Sequence, residues 1–586
     1  MAPYPRPVPD TDAYTASRSL FDTLITRLGD PQMAVRPEHA VEEFITGAGR
    51  DVLRQALQDH LDARAAAEPR LAEVIGADAV ARRRAEPGHT RLLATTLGRV
   101  EVTRIAYRAP AVSNLHPADA RLALPDGGYS FPLQNAVVHE TVTGALREAR
   151  DGLTRILGQR VGTRQLMQIT VDAARDVRDF YPQHRVPAPA TRPGGEPGPR
   201  DLLVLSIDAT GINMIDSGLR EAAPARPAGP QPPSAQLSTR ERTGRTRMAV
   251  VTACYDAAPA VRDPADILPA TPGERAGRRP GPKAVNREVD ASIADSTAPM
   301  TTRLFDRAQQ RDPQHQRRWI VLVDGNNHQI DRIRSEAHAH GVDVDIIVDF
   351  VHILEYLWKA AEDLHPTQPV RAAFVARTAR DLLEHHPARV IADLTAHHDT
   401  LTQAGTRAAG LKRCIDYLTA KQPYLIYRIA LTMGWPIATG VIEGACRYLV
   451  KDRMAITGAR WGLPGAEAVL LLRAVIMNGD FNAYWKFHLQ QEHQRTHTSR
   501  YQHQYDLVVL RHDLLAVAGV VLREDSVAGG AGVDDPDEIA LDVSEYAVQG
   551  HSGTAAFGFR RSRVRKPWAA ATRVTWWCQP AHLRPS

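Results

Sequence analysis

Three acidic residues occupy positions where acids are uncommon. Asp208 interrupts a nearly continuous apolar run, DLLVLSIDATGINM (Asp201 to Met214). Asp324 closes a second one, RRWIVLVDGNN. Glu443 opens a helical stretch whose next turns carry Arg447 and Lys451. Buried acids are rare unless paired or bound to a metal, and ligand sites of open α/β sheets gather at strand ends. Carboxylates on rigid elements suit Mg²⁺ or Mn²⁺, hard ions that take oxygen ligands, and two such ions can run in-line phosphoryl transfer. On one helix face, Glu443 would ligate an ion while Arg447 and Lys451 touch phosphates. The simpler alternative is a solvated helix with Glu/Arg and Glu/Lys pairs. A fourth acid, Asp349, stands with His352 at a strand-to-helix junction, where it can serve as an N-cap with no catalytic duty.

The elements that must hold these residues are those of a mixed α/β domain. Asp201 to Met214, Arg242 to Asp256, the part of Arg317 to Asn327 that ends in Asp324-Gly325, and Val344 to Val348 read as strands, several of them apolar throughout as buried strands are. Helices follow at Gln329 to His340, through Leu364 to Arg428, and from Gly465 to Met477, so the sheet carries an all-helical insertion at about 360–430. The segment from Arg220 to Arg317 looks loose and Pro-rich. It contains TPGERAGRRPGPK, a basic loop suited to a phosphate backbone, although solvated linkers look the same. Past about Gln490 the sequence suggests little order, and 489–586 reads as a poorly ordered tail.

Ahead of the sheet, residues 1–183 read as a mainly helical module, joined to it by the Pro/Gly-rich linker 184–200. Thr95 to Arg108 is expected to form a short strand or hairpin arm with a bulge near Thr103, where the alternation changes face. Leu153 to Val171 resembles a helix-turn-helix, with Thr163 capping a second helix that would bring Arg164, Gln165 and Gln168 to bases in a major groove. An ordinary pair of packed helices has the same pattern. Trp461 is a candidate for stacking on an unpaired base, or a core tryptophan.

Composition sets the outer bounds. The chain has 586 residues, 43% of them hydrophobic and 24% charged, enough for a large core. A net charge of +5 leaves any polyanion to be met by local basic patches. Four scattered cysteines with no CxxC pair argue against a structural zinc site or a secreted disulfide framework. No apolar run is long enough to span a bilayer, so a cytoplasmic protein is expected.

The motifs LSIDATGINM, IVLVDGN, VDFVHILEYLWKAAEDL, GWPIATGVIEGACRYLVKDRMAITGARW and LLRAVIMNGDFNAYW resemble those of ISKra-type insertion-sequence DDE transposases, over about Phe44 to His488. The resemblance implies an RNase H-like catalytic domain with Asp208, Asp324 and Glu443 as catalytic and metal-binding acids, and a supporting motif at Asp349 and His352 like that of mutator-like relatives. Asp349 is the other reading of the second acid. The resemblance further implies a nucleoid-associated bacterial enzyme that binds the ends of its element as a homo-oligomer, cleaves double-stranded DNA and joins 3′-hydroxyls to a target. Alternatives are an inactive relative that only binds DNA, and another RNase H-like nuclease such as a junction resolvase. A glycosidase would need two acids about a sugar cleft and no basic helix beside them.

Overall fold

The structure, a computed structural model, describes residues 11–184, 201–218, 245–269, 276–403, 405 and 407–502. Residues 185–200 of the expected linker, part of the basic loop (270–275) and the tail from 503 onward lie outside them. All described residues belong to one compact unit, Met1–His512. No helix in them is long and apolar enough to cross a membrane.

The N-terminal part begins with helices Thr15–Leu28, Pro31–Ala34 and Glu38–Ala66. Two-residue strands β1 (Val74–Ile75) and β2 (Ala81–Arg82) pair with each other, and β3 (Arg84–Thr95) pairs with β4 (Gly98–Arg108) as a hairpin. The register slips between Glu86 and His89 on β3, and no slip occurs at Thr103, where the alternation had suggested one. Pro87 lacks the N–H that a ladder needs and Gly88 sits at φ 79°, so the irregularity belongs there. On β4 the buried phase runs unbroken through Val100, Val102, Arg104 and Ala106. Arg104 misleads because it is buried as an ion pair, 2.7 Å from Asp119.

Helices Phe131–Thr143, Leu146–Leu157 and Thr163–Ala173 then enclose a small core of Leu133, Val137, Leu153, Val161 and Leu166. Gly158, at φ 68°, ends the second of them in the left-handed conformation and starts the turn to the third. The third also packs on helix Leu463–Asn478. Beyond helix Val177–Gln183 the chain enters the sheet, and Arg178 ties the two parts by ion pairs to Asp290, Asp295 and Glu467 at 3.0–3.1 Å.

Five strands form the central mixed sheet: β5 (Leu202–Asn213), β6 (Thr246–Ala257), β7 (Val285–Ser292), β8 (Arg318–Val323) and β9 (Val344–Val348), in the order β7-β6-β5-β8-β9. Strand β6 is antiparallel to both neighbours, and β5, β8 and β9 run parallel. Strand β7 and helix Thr297–Arg311 lie in the stretch that composition had marked as loose. Their signal is weak because the first three residues of β7 are exposed and its buried remainder includes Glu288 and Asp290.

Helices cover both faces, which is why β5 and β8 are apolar along nearly their whole length. Helices Thr297–Arg311 and Asn327–His340 and the helical insertion share one core with the sheet. The segment around Glu443 and helix Leu463–Asn478 pack their Ile442, Leu449, Val450, Val469 and Leu470 with Ile212, Val251 and Ala291 in another. The insertion follows β9 as helices Phe350–Leu364, Gln368–Glu384, Pro387–Gln403, Ala409–Lys421 and Tyr427–Thr432. Helix Phe481–Thr496 continues past the Gln490 limit read from sequence, and Tyr501 bridges back to Gly76. The tail boundary therefore moves beyond Tyr501.

Candidate active site

The sheet register decides where the acids stand. Ser206 pairs with Leu322 and Val323 with Val348, so continuing these ladders sets Asp208, Asp324 and Asp349 level on three adjacent strand ends. The ladder does continue to Asp349, whose N–H donates to the Val323 carbonyl at 2.8 Å. Adjacent strands are about 4.8 Å apart, so the outer two acids are separated by about 10 Å, with Asp324 between them. Their common level gives them a common pleat phase.

Glu443 comes to this edge on helix Gly440–Ala445, which packs against β5 and β6. At Cys446 the helix widens into a π-helical turn, Cys446–Lys451. Such turns are uncommon and concentrate at functional sites. The Cys446 thiol donates to Asp208 Oδ2 at 3.5 Å, while the N–H of Ala209 donates to Oδ1 at 2.7 Å. Burial and then the charge of Asp349 push the Glu443 carboxyl above its ordinary range; the Thr439 hydroxyl opposes the shift and Asp208 adds to it. Asp208, Asp349 and Glu443 thus lie within electrostatic reach of one another. Burial and the charge of Asp208 likewise push the Cys446 thiol well up, so it is protonated and donates.

Asp349 is buried and occupied by its surroundings. It caps helix Phe350–Leu364, accepting from the Val351 N–H at 3.2 Å, and the same oxygen accepts from the Thr439 N–H at 3.3 Å. Burial still raises its carboxyl above the usual value, against these bonds. Asp324 is different. It is half-buried, and its carboxylate accepts the Asn326 N–H at 2.9 Å, closing the turn after β8. Its carbonyl accepts the Tyr417 hydroxyl at 2.7 Å. A side chain on Gly325, at φ 92°, would meet that hydroxyl at 2.1 Å, so the Asp-Gly turn is required by the docking of the insertion. Lys421, also from the insertion, is bonded to Asn327; burial lowers its ammonium's pKa, against the charges of Asp324 and Asp331.

Among the other expected site residues, Arg447 and Lys451 are exposed, and Arg447 makes a loose 3.9 Å pair with Asp452. Arg164, Gln165 and Gln168 lie exposed on helix Thr163–Ala173, with Gln168 donating to Asp172 at 3.1 Å. His352 is half-buried, edge-on to Tyr356 and Tyr417 and 3.7 Å from Glu355. Trp461 does not belong with the DNA-binding residues. It is buried, its backbone extends β5 by pairing with Met214, its indole N–H donates to the Met454 carbonyl at 3.0 Å, and Arg453 lies over its ring. It is a core tryptophan.

Sequence reasoning passed over Thr439, Cys446, Tyr417 and Lys421. Only Thr439 carried a signal, as a Thr before a helix start; the others acquire meaning from the fold.

The donor set suits a hard divalent cation: Asp208, Asp349 and Glu443 act on one another electrostatically and Asp324 stands level with the two aspartates in the sheet, with no Lys or Arg bonded to any of the four among the described residues. Three ligand atoms within 4.8 Å of one another occur in two other places, Asp176/His488/Glu492 and Asp381/Glu384/His385, and either group could hold a metal. The strand-end acids are spread more widely, as a pair of ions about 3.5–4 Å apart would need. No known protein-family model matches the chain, and a search of curated proteins finds no relative.

Proposed function

We propose that this chain is an ISKra-type DDE transposase with an RNase H-like catalytic core. It binds the ends of its insertion sequence, cleaves DNA strands by metal-dependent hydrolysis and joins the 3′-hydroxyls to target DNA. The observation that carries this reading is the alignment of Asp208, Asp324 and Asp349 on three adjacent strand ends, with Glu443 delivered to the same edge by a helix after an all-helical insertion. The strand order, with β6 reversed beside the central β5, supports the RNase H-like assignment.

In this reading Asp208, Asp324 and Glu443 hold two Mg²⁺ or Mn²⁺ ions, which supply an activated hydroxyl and neutralise the leaving oxygen when bound. The chain's own contribution is positioning. Cys446 and the Ala209 N–H fix the two oxygens of Asp208. Tyr417 and Lys421 fix the turn that carries Asp324. Arg447 and Lys451 lie exposed beyond Glu443 to brace the phosphate backbone without acting as bases. The exposed Arg164, Gln165 and Gln168 face the duplex of the element end, and a second copy brings in the other end.

The test is strand cleavage of the DNA flanking the gene, in Mg²⁺ and in Mn²⁺, by the wild-type chain and by Asp208→Asn. The wild type should nick at the element ends and transfer strands, and the variant should bind the same DNA without cutting it. Cleavage retained by Asp208→Asn would overturn the assignment. Cutting without transfer would indicate a nuclease, and binding without any metal-dependent nicking an inactive relative.

A further inference from the structure

We infer that Asp349 is a positioning residue that sets the reach of Glu443, and that it is not a cation ligand. The inference rests on the catalytic reading above. Four observations bind the segment preceding Glu443 to the end of β9. The N–H of Phe350 donates to the Ile437 carbonyl at 2.9 Å. One Asp349 oxygen accepts from both the Val351 N–H and the Thr439 N–H. The Thr439 hydroxyl then donates to Glu443 Oε1 at 3.2 Å, one helical turn on. Tyr427, at the end of the insertion, closes the joint from behind by donating to the Val348 carbonyl at 2.9 Å.

The Asp349 oxygen that caps one helix and grips the backbone at the start of another, Oδ1, has its lone pairs aimed into the protein. Asp349 is 4% exposed, whereas Asp208 and Asp324 are half-buried and Glu443 is open to solvent. The three acids level on the sheet edge therefore divide by access. Asp208 and Asp324, the more accessible of the three, serve as ligands, and Asp349 transmits the position of β9 through Thr439 to the Glu443 carboxylate. Only an acceptor oxygen is needed for that task, and an amide provides one.

The experiment uses the full chain, with DNA cleavage measured across a Mg²⁺ titration and Mn²⁺ binding measured by calorimetry. Asp349→Asn keeps the acceptor and should cleave within about 5-fold of wild type with unchanged ion stoichiometry. Asp349→Ala should lose about 10²-fold at low Mg²⁺ and recover part of that at high Mg²⁺, because a misplaced ligand weakens ion binding first. Thr439→Val keeps the backbone N–H but not the hydroxyl, so it tests the relay even if the alanine variant fails to fold, and it should raise the Mg²⁺ requirement about 10-fold. The inference is overturned if Asp349→Asn is as inactive as Asp208→Asn or binds one ion fewer, or if Thr439→Val leaves the Mg²⁺ requirement unchanged. Should Asp208→Asn itself cleave, the catalytic reading fails and takes this inference with it; an inactive Asp208→Asn beside an equally inactive Asp349→Asn removes this inference alone.

Discussion

Two groups of acids in this protein have opposite surroundings. Asp176 is buried and answered by an imidazole and a guanidinium: His488 Nδ1 at 2.7 Å, and Arg495, whose two terminal nitrogens reach its two oxygens at 2.7 and 2.8 Å. Burial alone would raise its carboxyl, but the bonds from His488 and Arg495 hold it down to about 2. At the sheet edge, Asp349 and Glu443 are answered by N–H groups and a hydroxyl, and both carboxyls are raised, Asp349 by burial and Glu443 by burial and then the charge of Asp349. The chain thus neutralises an acid that holds helix Phe481–Thr496 in place and leaves Asp349 and Glu443 with no Lys or Arg bonded to them among the described residues. Although Asp176, His488 and Glu492 could chelate a metal, Arg495 already fills the Asp176 oxygens, so that group reads as a structural joint.

Neutralising one acid in each group should separate them. Glu443→Gln should lower strand cleavage by about 10³-fold, the scale of losing a major charge-stabilising group. The same change removes repulsion from Asp349 and Asp208, so thermal unfolding should show a stability gain of up to about 0.5 kcal/mol, small because Glu443 is solvent-screened. Asp176→Asn should do the reverse. With His488 deprived of its carboxylate and Arg495 left to Glu492 alone, it should cost about 3 kcal/mol in urea unfolding, with no direct effect on bound-ion stoichiometry. If both variants destabilise, the contrast between the groups is false.

Acid titration sharpens the same comparison. A carboxyl held near 2 against an ordinary 3.8 contributes stability that is fully present above pH 4 and disappears as pH falls through about 2. The contribution is about 2 kcal/mol at most. Wild type should therefore lose stability between pH 4 and 2 more steeply than Asp176→Asn. Glu443 has the opposite sign: its raised carboxyl binds a proton more readily in the folded state, so protonation from above pH 4.5 downward relieves the fold.

What the sequence could reveal follows from the same physics. Asp208, Asp324 and Asp349 were visible because an acid in or beside an apolar run stands out, and the strands around them were visible because burial on both faces makes them uniformly apolar. Strand β7 was hidden because its buried part carries Glu288 and Asp290, partnered by arginines from other elements. Arg104 disguised the phase of β4 in the same way. Trp461 was ambiguous because an aromatic residue beside Gly and Arg looks the same in a core as at a surface. The level of the three strand ends is a property of register, which no local pattern encodes, and so is the meeting of Cys446 with Asp208 across 238 positions.

The smallest effect concerns the one place where the expected geometry was altered without being lost. An uninterrupted α-helix would stack Glu443, Arg447 and Lys451 with little drift, but the π-helical turn from Cys446 to Lys451 changes their spacing. Cys446 is turned inward to Asp208, and Arg447 and Lys451 still face solvent, Arg447 with 82% of its side chain exposed. Because neither cation is committed to the fold, Arg447→Gln and Lys451→Gln should leave unfolding unchanged. Each should weaken DNA binding only about 3- to 10-fold and reduce the slope of log affinity against log salt by about 1, as the loss of a single phosphate contact does. Fluorescence anisotropy across a salt series checks both numbers. A variant that lowers affinity without changing the slope would place its side chain away from the phosphates, and the basic stretch after Glu443 would then be a solvated surface.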